Sequence, residues 1–302
     1  MSYYIASYDT EAIYPWWKLG GKPYSAKLYQ DSVSYEGKAL KECLKGINAV
    51  AEVHKEHNAP ATYFVVARLV ESAGADLCKI LDDPSFDIQC HSYTHANLVE
   101  LSDDKKALQK EIVDSKKLIE DVFGREVIGF TTPGAFTDGL TGKKRQLEFL
   151  CDAGYRYVRS VGKGPFDTVP APLTQPFWYT QDGYPNLLEF GLHAWHDTVL
   201  AGQPFAAYWP PVLPWGFPCK VPESPKDVYD VYAPGIDYIV EHDLLTYIPC
   251  FHPWSIYRVD SKATHIALLL THAKKKMKLV SCSSLYSTIK NQRSLASESP
   301  NF

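Results

Sequence analysis

Apolar runs bounded by turn residues alternate along the chain with longer amphipathic stretches. The short runs predict buried strands, and apolar residues at helical spacing predict helices. The predicted strands are 3–8, 61–66, 86–89, 127–130, 155–160, 187–190 and 245–250. The predicted helices are 38–57, 69–81, 102–123, 143–151, 228–242 and 262–276. This strand-then-helix order favours an α/β fold with a parallel sheet, either closed or doubly wound.

The clearest of these helices is 102–123. Ser102 stands where an N-cap would, Asp103 and Asp104 suit the first turn, and Gly124 ends the helix.

The composition of the sequence changes between residues 165 and 234. This segment holds 13 of the 21 prolines and four of the seven tryptophans. We expect long connecting loops over one face of a single domain, 1–288, with a loop or lid insertion at about 200–235 that covers the site. The polar tail, 289–302, is expected to fray.

Composition narrows the class of protein. Of 302 residues, 45% are hydrophobic and 22% are charged, as in an ordinary globular protein. A net charge of −4 spread along the chain argues against a nucleic-acid partner, and no apolar run is long enough to cross a membrane. Seven scattered cysteines without a CxxC pair, and no N-terminal signal pattern, favour a cytoplasmic location.

Candidate chemistry lies after three predicted strands. His91 and His95 follow strand 86–89, at the end where parallel α/β folds keep their active sites. One helical turn there would aim both imidazoles the same way, as metal ligands require. Histidines at this spacing also occur with ordinary hydrogen bonds only.

Two acids and a third histidine follow two other strands. Asp9 and Glu11 end the first strand, which would suit one carboxylate on a metal and the other free to take a proton. His252 ends strand 245–250 and could serve as a general acid. Two imidazoles and a carboxylate form a catalytic metal site that leaves positions open for water and substrate.

Together these residues resemble the polysaccharide deacetylase family, the NodB-homology group of carbohydrate esterases. The residues 91–95 match its H-[ST]-x-x-H motif, and 61–65 match the A-T-F-F-V strand before it. Three further segments align with family motifs: 7–11 with T-F-D-D-G, 129–134 with F-R-x-P and 154–157 with G-[FY]-x-Y. His252 aligns with the family's late histidine motif. The similarity spans about 3–275.

The resemblance implies a distorted (β/α)7–8 barrel of the NodB-homology type, with a metal site at its mouth. It implies Asp9 as general base, His91 and His95 as metal ligands, and His252 as general acid. Because Thr10 stands at the usual second acid, Glu11 is the expected third ligand, as in an Asp-x-Asp or Asp-x-Glu branch. That branch has peptidoglycan-deacetylase-like and imidase- or allantoinase-like cytoplasmic members, often homo-oligomers. Zinc is the expected ion, and cobalt, nickel or iron would fit the same ligands.

One position departs from the family pattern. Thr131 stands where the family has an arginine that orients the catalytic carboxylate. Arg159 or Arg156, on the next strand, could replace it. Without replacement Asp9 would be misplaced, and an error of about 1 Å can cost 100-fold in rate.

Two classes of function therefore remain. The first is a metal-dependent amide hydrolase that acts on an N-acylated sugar or a small cyclic amide. The second is a metal-binding pseudoenzyme or binding module without turnover. Thr131, Pro133, Arg159, Trp195 and Trp254 are candidates for substrate binding.

Two neighbouring features have plainer interpretations. The cluster 193–197, with His193, His196 and Asp197, could bind substrate or line the mouth, but structural packing is the favoured interpretation. Cys250 is expected to be a small core residue.

Overall fold

The structure is a computed structural model that describes residues 1–12, 34–101, 104–201, 213–215 and 222–300. Its strands are β1 (Tyr3–Tyr4), β2 (Ser7–Thr10), β3 (Ala61–Val65), β4 (Phe86–Cys90), β5 (Gly129–Phe136), β6 (Tyr157–Val161), β7 (Phe177–Tyr179), β8 (Tyr184–Glu189), β9 (His193–His196), β10 (Thr246–Tyr247), β11 (Pro249–Phe251) and β12 (Lys278–Leu279).

The helices alternate with these strands. They are α1 (Gly37–Glu56), α2 (Ala67–Ile80), α3 (Lys105–Leu108), α4 (Ser115–Phe123), α5 (Lys144–Asp152), α6 (Asp197–Leu200), α7 (Pro225–Glu241), α8 (Pro253–Val259), α9 (Thr264–Lys274) and α10 (Cys282–Asn291). A π-helix (Gln109–Asp114) joins α3 to α4, and short 3₁₀ helices span Pro165–Asp167 and Arg293–Leu295. Within the described ranges, no helix is long and apolar enough to cross a membrane.

The main sheet has the strand order β7-β8-β6-β5-β4-β3-β2-β11-β9. Every pairing in it is parallel except β7 with β8. The predicted α/β fold with a parallel sheet is therefore confirmed. Since parallel strands end at the same edge, the carboxyl ends of β2, β4, β9 and β11 face one region of the molecule.

The main sheet curls around its own inner face. In a flat sheet, β6 and β2 would lie about 19 Å apart, because strands are spaced about 4.8 Å and three strands separate this pair. Yet Arg159 of β6 contacts both Ser7 and Asp9 of β2. A side chain can make that contact only across the interior of a barrel-like sheet.

A small second sheet corrects two predicted strands. The predicted strand 3–8 is divided between β1 of this sheet and β2 of the main sheet. The predicted strand 245–250 is divided, because β10 pairs with β1 in a three-stranded sheet while β11 pairs with β2 and β9. Ile248 lies between the two pieces and is buried. A continuous apolar run in the sequence does not reveal that the chain passes from one sheet to the other.

Helix α1 packs close to the segment that follows β11. Its buried positions recur at helical spacing, including Ala39, Cys43, Ile47 and Val50. A Cβ at Gly46 would lie 2.2 Å from the carbonyl oxygen of Pro253, so only glycine allows this approach. The backbone just after His252 is therefore fixed against a helix.

The start of the long helical region is different from the predicted one. The N-cap is Asp104, whose Oδ1 accepts a hydrogen bond from the Ala107 amide at 2.9 Å. The expected cap, Ser102, lies outside the described residues. At the other end Gly124 adopts φ 63°, the left-handed conformation expected of a C-terminal glycine.

Part of the proline-rich segment, residues 202–212 and 216–221, lies outside the described residues, and with it about half of the expected lid. Helix α7 nevertheless begins inside the span assigned to loop, where Ser224 and Asp227 form a capping box. The insertion predicted at 200–235 is therefore not loop throughout.

The C-terminal tail is attached to the sheet, so the expectation of fraying is wrong for its described part. The Trp178 amide donates to the Ser297 carbonyl at 2.8 Å. Arg293 donates to the Pro185 carbonyl at 2.7 Å and pairs with Glu298. These contacts hold the tail beside β7 and β8 although its composition is polar.

Candidate active site

Glu11, His91 and His95 form a buried cluster at the carboxyl ends of β2 and β4. Glu11 Oε2 lies 2.6 Å from His95 Nε2 and 3.7 Å from His91 Nε2. One ligand atom from each residue lies within 4.8 Å of the others. The two histidines and the acid of the predicted metal site are thus brought together.

The segment between the two histidines is a tight loop, which corrects the expected helical turn. Ser92 and His95 both have positive φ, 63° and 67°. The Ser92 hydroxyl accepts from the His95 amide at 3.1 Å. The imidazoles meet at an interplanar angle of 81°, with ring centroids 4.8 Å apart. A helical turn would instead have required negative φ throughout.

Glu111, from the π-helix, holds this loop from outside. Its Oε2 accepts from the amides of Tyr93 (2.9 Å) and Thr94 (2.8 Å), and its Oε1 accepts from the Thr94 hydroxyl (2.6 Å). Glu111 is not among the residues that the sequence pattern predicts for the site. Glu111 lies on a different element, 16 positions after His95, so no short sequence motif links it to the loop that carries the histidines.

The imidazole of His91 is held in one tautomer. Its Nδ1 lies 3.0 Å from the carbonyl oxygen of Thr131, to which only an N–H can donate, so Nε2 carries the lone pair. Burial and the neighbouring His95 lower the pKa of His91 to about 3. The neutral ring is the form that binds a metal.

The charge of Glu11 follows from its neighbours. Burial alone would raise the pKa of its carboxyl, but His95, His252 and His91 together lower it below the ordinary value. An ionised carboxylate and two imidazoles aimed at it are the donor set of a catalytic zinc site. The residues present therefore fit a divalent metal.

Asp9 and Arg159 form a fully buried ion pair beside this cluster. Arg159 Nη2 contacts Asp9 Oδ1, and Nη1 contacts the Ser7 hydroxyl. Its Nε donates to the Thr131 hydroxyl at 3.1 Å, and that hydroxyl donates to the Arg159 carbonyl at 3.0 Å. The guanidinium also lies 4.4 Å from the centre of the Phe64 ring.

The resemblance predicts an arginine at position 131, and Arg159 lies directly opposite that position on the neighbouring strand. Thr131 of β5 and Arg159 of β6 are paired residues in the parallel ladder. Arg159 thus supplies the charge that Thr131 lacks. The other candidate, Arg156, is exposed.

His252 lies at the end of β11, next to both Asp9 and Glu11. Asp197 accepts from its Nδ1 (2.7 Å) and from its backbone amide (2.8 Å). Its Nε2 lies 3.9 Å from Asp9 Oδ2 and 3.7 Å from Glu11 Oε1. Burial alone would lower the pKa of His252, but Asp197 and Glu11 raise it above the ordinary value.

Asp197 was noticed in the sequence only as part of a cluster. Its signal was its place directly after β9, the same strand-end position that marks the other site residues. The two histidines of that cluster pack inside: Nε2 of His193 lies 2.8 Å from the Thr174 carbonyl, and Nε2 of His196 lies 2.7 Å from the Gly162 carbonyl. Burial lowers the pKa of each to about 4.

The remaining candidates for substrate binding are buried around the site. The Trp254 ring lies 5.9 Å from that of His252. Trp195 and Pro133 are buried, and Thr131 is engaged with Arg159. Contact of these residues with a substrate stays a prediction.

Comparison with known proteins supports the family and the fold. Residues 44–158 match the family model for polysaccharide deacetylase. This match includes His91 and His95, whereas Asp9, Glu11 and His252 join them through the fold. No curated protein sequence gives a significant match.

Solved structures share the fold at low identity. A protein from Mycobacterium smegmatis assigned as a polysaccharide deacetylase has a TM-score of 0.66 and 15% identity, covering 97% of this chain and 91% of that one. The Puue allantoinase has a TM-score of 0.62 and 13% identity, covering 96% and 89%. A protein from Pseudomonas aeruginosa PAO1, assigned as a polysaccharide deacetylase, has a TM-score of 0.62 and 12% identity, covering 96% and 90%.

These structures confirm the NodB-type barrel that the motifs implied. The chain thus resembles polysaccharide deacetylases in sequence over residues 44–158 and shares the fold of these solved structures over 96–97% of its length.

Proposed function

We propose that the protein is a metal-dependent hydrolase of carbon–nitrogen amide bonds. The observation that carries this proposal is that Asp9 and His252 lie 3.9 Å from each other beside the Glu11, His91 and His95 cluster. Arg159 pairs with Asp9, and Asp197 holds His252. A metal site with a base and an acid beside it is the arrangement that amide hydrolysis needs.

The metal would be held by Glu11 Oε2 and by the Nε2 atoms of His91 and His95. When bound, a divalent ion such as Zn²⁺ supplies a Lewis acid and lowers the pKa of bound water toward ~7.

The residues of the chain do the proton transfer. Asp9 Oδ1 is fixed by Arg159, which leaves Oδ2 to take a proton from the attacking water. His252 Nε2 donates a proton to the leaving amine, while Asp197 keeps Nδ1 protonated and the ring in place. The proximity of Nε2 to Asp9 Oδ2, 3.9 Å, puts both groups beside one reacting centre.

The proposed substrate is an N-acylated sugar or a small cyclic amide. The family is named for deacetylation of polysaccharides, and the allantoinase of similar fold supports the second class. Turnover of a panel of acetylated sugars and cyclic imides by the zinc-loaded protein would separate them. No turnover on any member by a fully loaded protein would favour the pseudoenzyme.

The roles of the two acids can be separated by metal analysis. Glu11→Ala removes a ligand and should lose most bound metal. Asp9→Asn is nearly isosteric, should keep the metal and should lose about 10²–10⁴-fold in turnover, the usual contribution of a positioned proton-transfer group. A metal-free Asp9→Asn beside a metal-loaded Glu11→Ala would show that the two roles are reversed.

A further inference from the structure

The thiol of Cys250 faces the proposed proton-transfer groups. Cys250 and His252 are alternate residues at the end of β11, and both are buried. Cys250 Sγ lies 3.6 Å from Asp9 Oδ2, the same oxygen that lies 3.9 Å from His252 Nε2. One ligand atom from each of Asp9, Cys250 and His252 lies within 4.8 Å of the other two. This is a second donor set, distinct from Glu11, His91 and His95.

We propose that Asp9, Cys250 and His252 form a second, inhibitory site for a thiophilic divalent cation such as Zn²⁺. A thiolate, an imidazole nitrogen and a carboxylate oxygen are established zinc donors, and the sulfur selects against Mg²⁺ and Ca²⁺. Coordination would release the thiol proton to solvent.

The partners of these residues leave the required atoms available to an ion. Asp197 holds Nδ1 of His252, which directs the Nε2 lone pair towards Asp9, in the carboxylate–histidine arrangement that supports a metal. Arg159 engages Oδ1 of Asp9, while Oδ2 is the oxygen on the side of the thiol.

The local charge sets the order of filling. Arg159 places a buried positive charge beside Asp9, which opposes a cation at the second site. At the first site, in contrast, the Glu11 carboxylate lies against two metal-binding imidazoles, 2.6 Å from His95 Nε2 and 3.7 Å from His91 Nε2. The second site should therefore fill only after the first one.

Occupation of the second site would stop the reaction. This consequence rests on the proposed function, because Asp9 and His252 would be coordinated instead of moving protons. His252 Nε2 also lies 3.7 Å from Glu11 Oε1, so the two sites adjoin. Excess zinc should thus inhibit an enzyme that one equivalent of zinc activates.

The site can be tested with Co²⁺, whose thiolate complexes have a charge-transfer band in the near ultraviolet. The metal-free protein is titrated and the folded state is checked by circular dichroism. We expect visible d–d bands with the first equivalent and the thiolate band only with further equivalents. Cys250→Ser, and Cys250→Ala if the serine variant folds poorly, should lack the thiolate band.

The matched control is Cys151→Ser on α5, a partly buried thiol away from the site, which should keep the band. A folded wild type without a thiolate band in excess Co²⁺, or a band that persists in both Cys250 variants, would overturn the site. A thiolate band with the first equivalent would overturn the order of filling. Absence of the first d–d bands would count against the proposed function instead.

Inhibition is measured separately, with each protein compared with its own rate at one equivalent of zinc. Excess zinc should lower the wild-type rate by more than about tenfold, since the blocked groups contribute about 10²–10⁴-fold. The Cys250→Ser rate should change much less. Equal inhibition of both proteins would show that zinc acts elsewhere.

Discussion

Asp9 and Arg159 are buried charges that depend on each other. Removal of one partner of a buried ion pair typically costs about 3–5 kcal/mol, because the other charge is left without compensation. Arg159 also donates hydrogen bonds to the hydroxyls of Ser7 and Thr131, and its guanidinium lies over the Phe64 ring. These contacts hold the guanidinium in one position. Fixing the arginine in this way fixes the carboxylate.

The first residue-scale prediction exchanges the arginine across the strand pair. Arg159→Thr should lower turnover by about 100-fold, since Asp9 loses its clamp, and should also lower the free energy of unfolding. The double variant Thr131→Arg with Arg159→Thr should recover much of both, because the two positions are paired. Steady-state kinetics and denaturant unfolding measure these effects. Full activity in the single variant would refute the role of Arg159.

The second residue-scale prediction concerns pH. His252 must be protonated to act as an acid, so the rate falls as pH rises through its pKa. Asp197 raises that pKa, and Asp197→Asn should lower it. The basic limb of the kcat profile should then move to lower pH by at least about one unit. Asp237→Asn, which removes the negative charge from the surface contact with His272 (2.9 Å), is the control and should leave the limb unmoved. An unchanged limb in Asp197→Asn would assign it to another group.

At the scale of elements, the π-helix places Glu111 under the loop that carries His95. Wide turns of this kind often occur at functional sites. The loop has two residues in the left-handed region, and the carboxylate satisfies both of its central amides. The π-helix therefore acts as a support for one of the proposed metal ligands.

Substitution of Glu111 should weaken metal binding more than it weakens the fold. Glu111→Ala should lower zinc affinity by about 10–100-fold, the usual effect of losing a group that orients a ligand. Glu111→Gln keeps an acceptor for the two amides and should remain close to wild type. Chelator competition measures the affinity. Glu120→Ala is a control, because Glu120 also accepts a backbone amide, that of Val127 at 2.9 Å. An equal loss of zinc affinity in both alanine variants would indicate a general structural effect.

At the scale of the whole molecule, the order of the longer strands and helices could be predicted because each buries a face and leaves a periodic trace. The short strands β7, β9 and β12 and the helices α8 and α10 were not predicted. The predicted order also indicates where β2, β4 and β11 end, and therefore that Asp9, Glu11, His91 and His252 lie at the same edge of the sheet. Contacts across the barrel could not be predicted in this way. They depend on the curl of the sheet and on ladder register, which no local pattern encodes.

Two errors have a similar origin. The predicted helical turn at 91–95 was wrong because Ser92 and Glu111 stabilise a left-handed loop there, and helical spacing does not reveal such partners. The tail was expected to fray because it is polar, whereas its backbone and Arg293 bind to β7 and β8.

Global stability should depend on a buried carboxyl between β6 and β8. Glu189 accepts from the amides of Ser160 and Val161 and from the hydroxyls of Ser160 and Tyr179. Burial outweighs these donors and raises the pKa of Glu189 from 4.5 to about 7. The folded state thus binds a proton that the unfolded state releases at lower pH, so stability falls as pH rises from about 4.5 to about 7.

Glu189→Gln should remove this contribution, because the amide resembles the protonated acid. Relative to wild type, the variant should gain on the order of 3 kcal/mol in unfolding free energy between pH 4.5 and pH 8. Denaturant titrations of both proteins at several pH values measure the difference in their unfolding free energies. Because both proteins contain the same histidines, the pH dependence that the histidines cause cancels in this difference. A difference that does not change with pH would show that Glu189 is ionised throughout.

The pairing of Thr131 with Arg159 has a consequence for how family members diverge. Two positions joined across a ladder can deliver the same functional group to one point, so an arginine can be lost from one strand after it has appeared on the next. The backbone need not change during such a relocation. A relative that lacks the arginine of β5 should therefore be judged inactive only after the facing residue of β6 has been inspected.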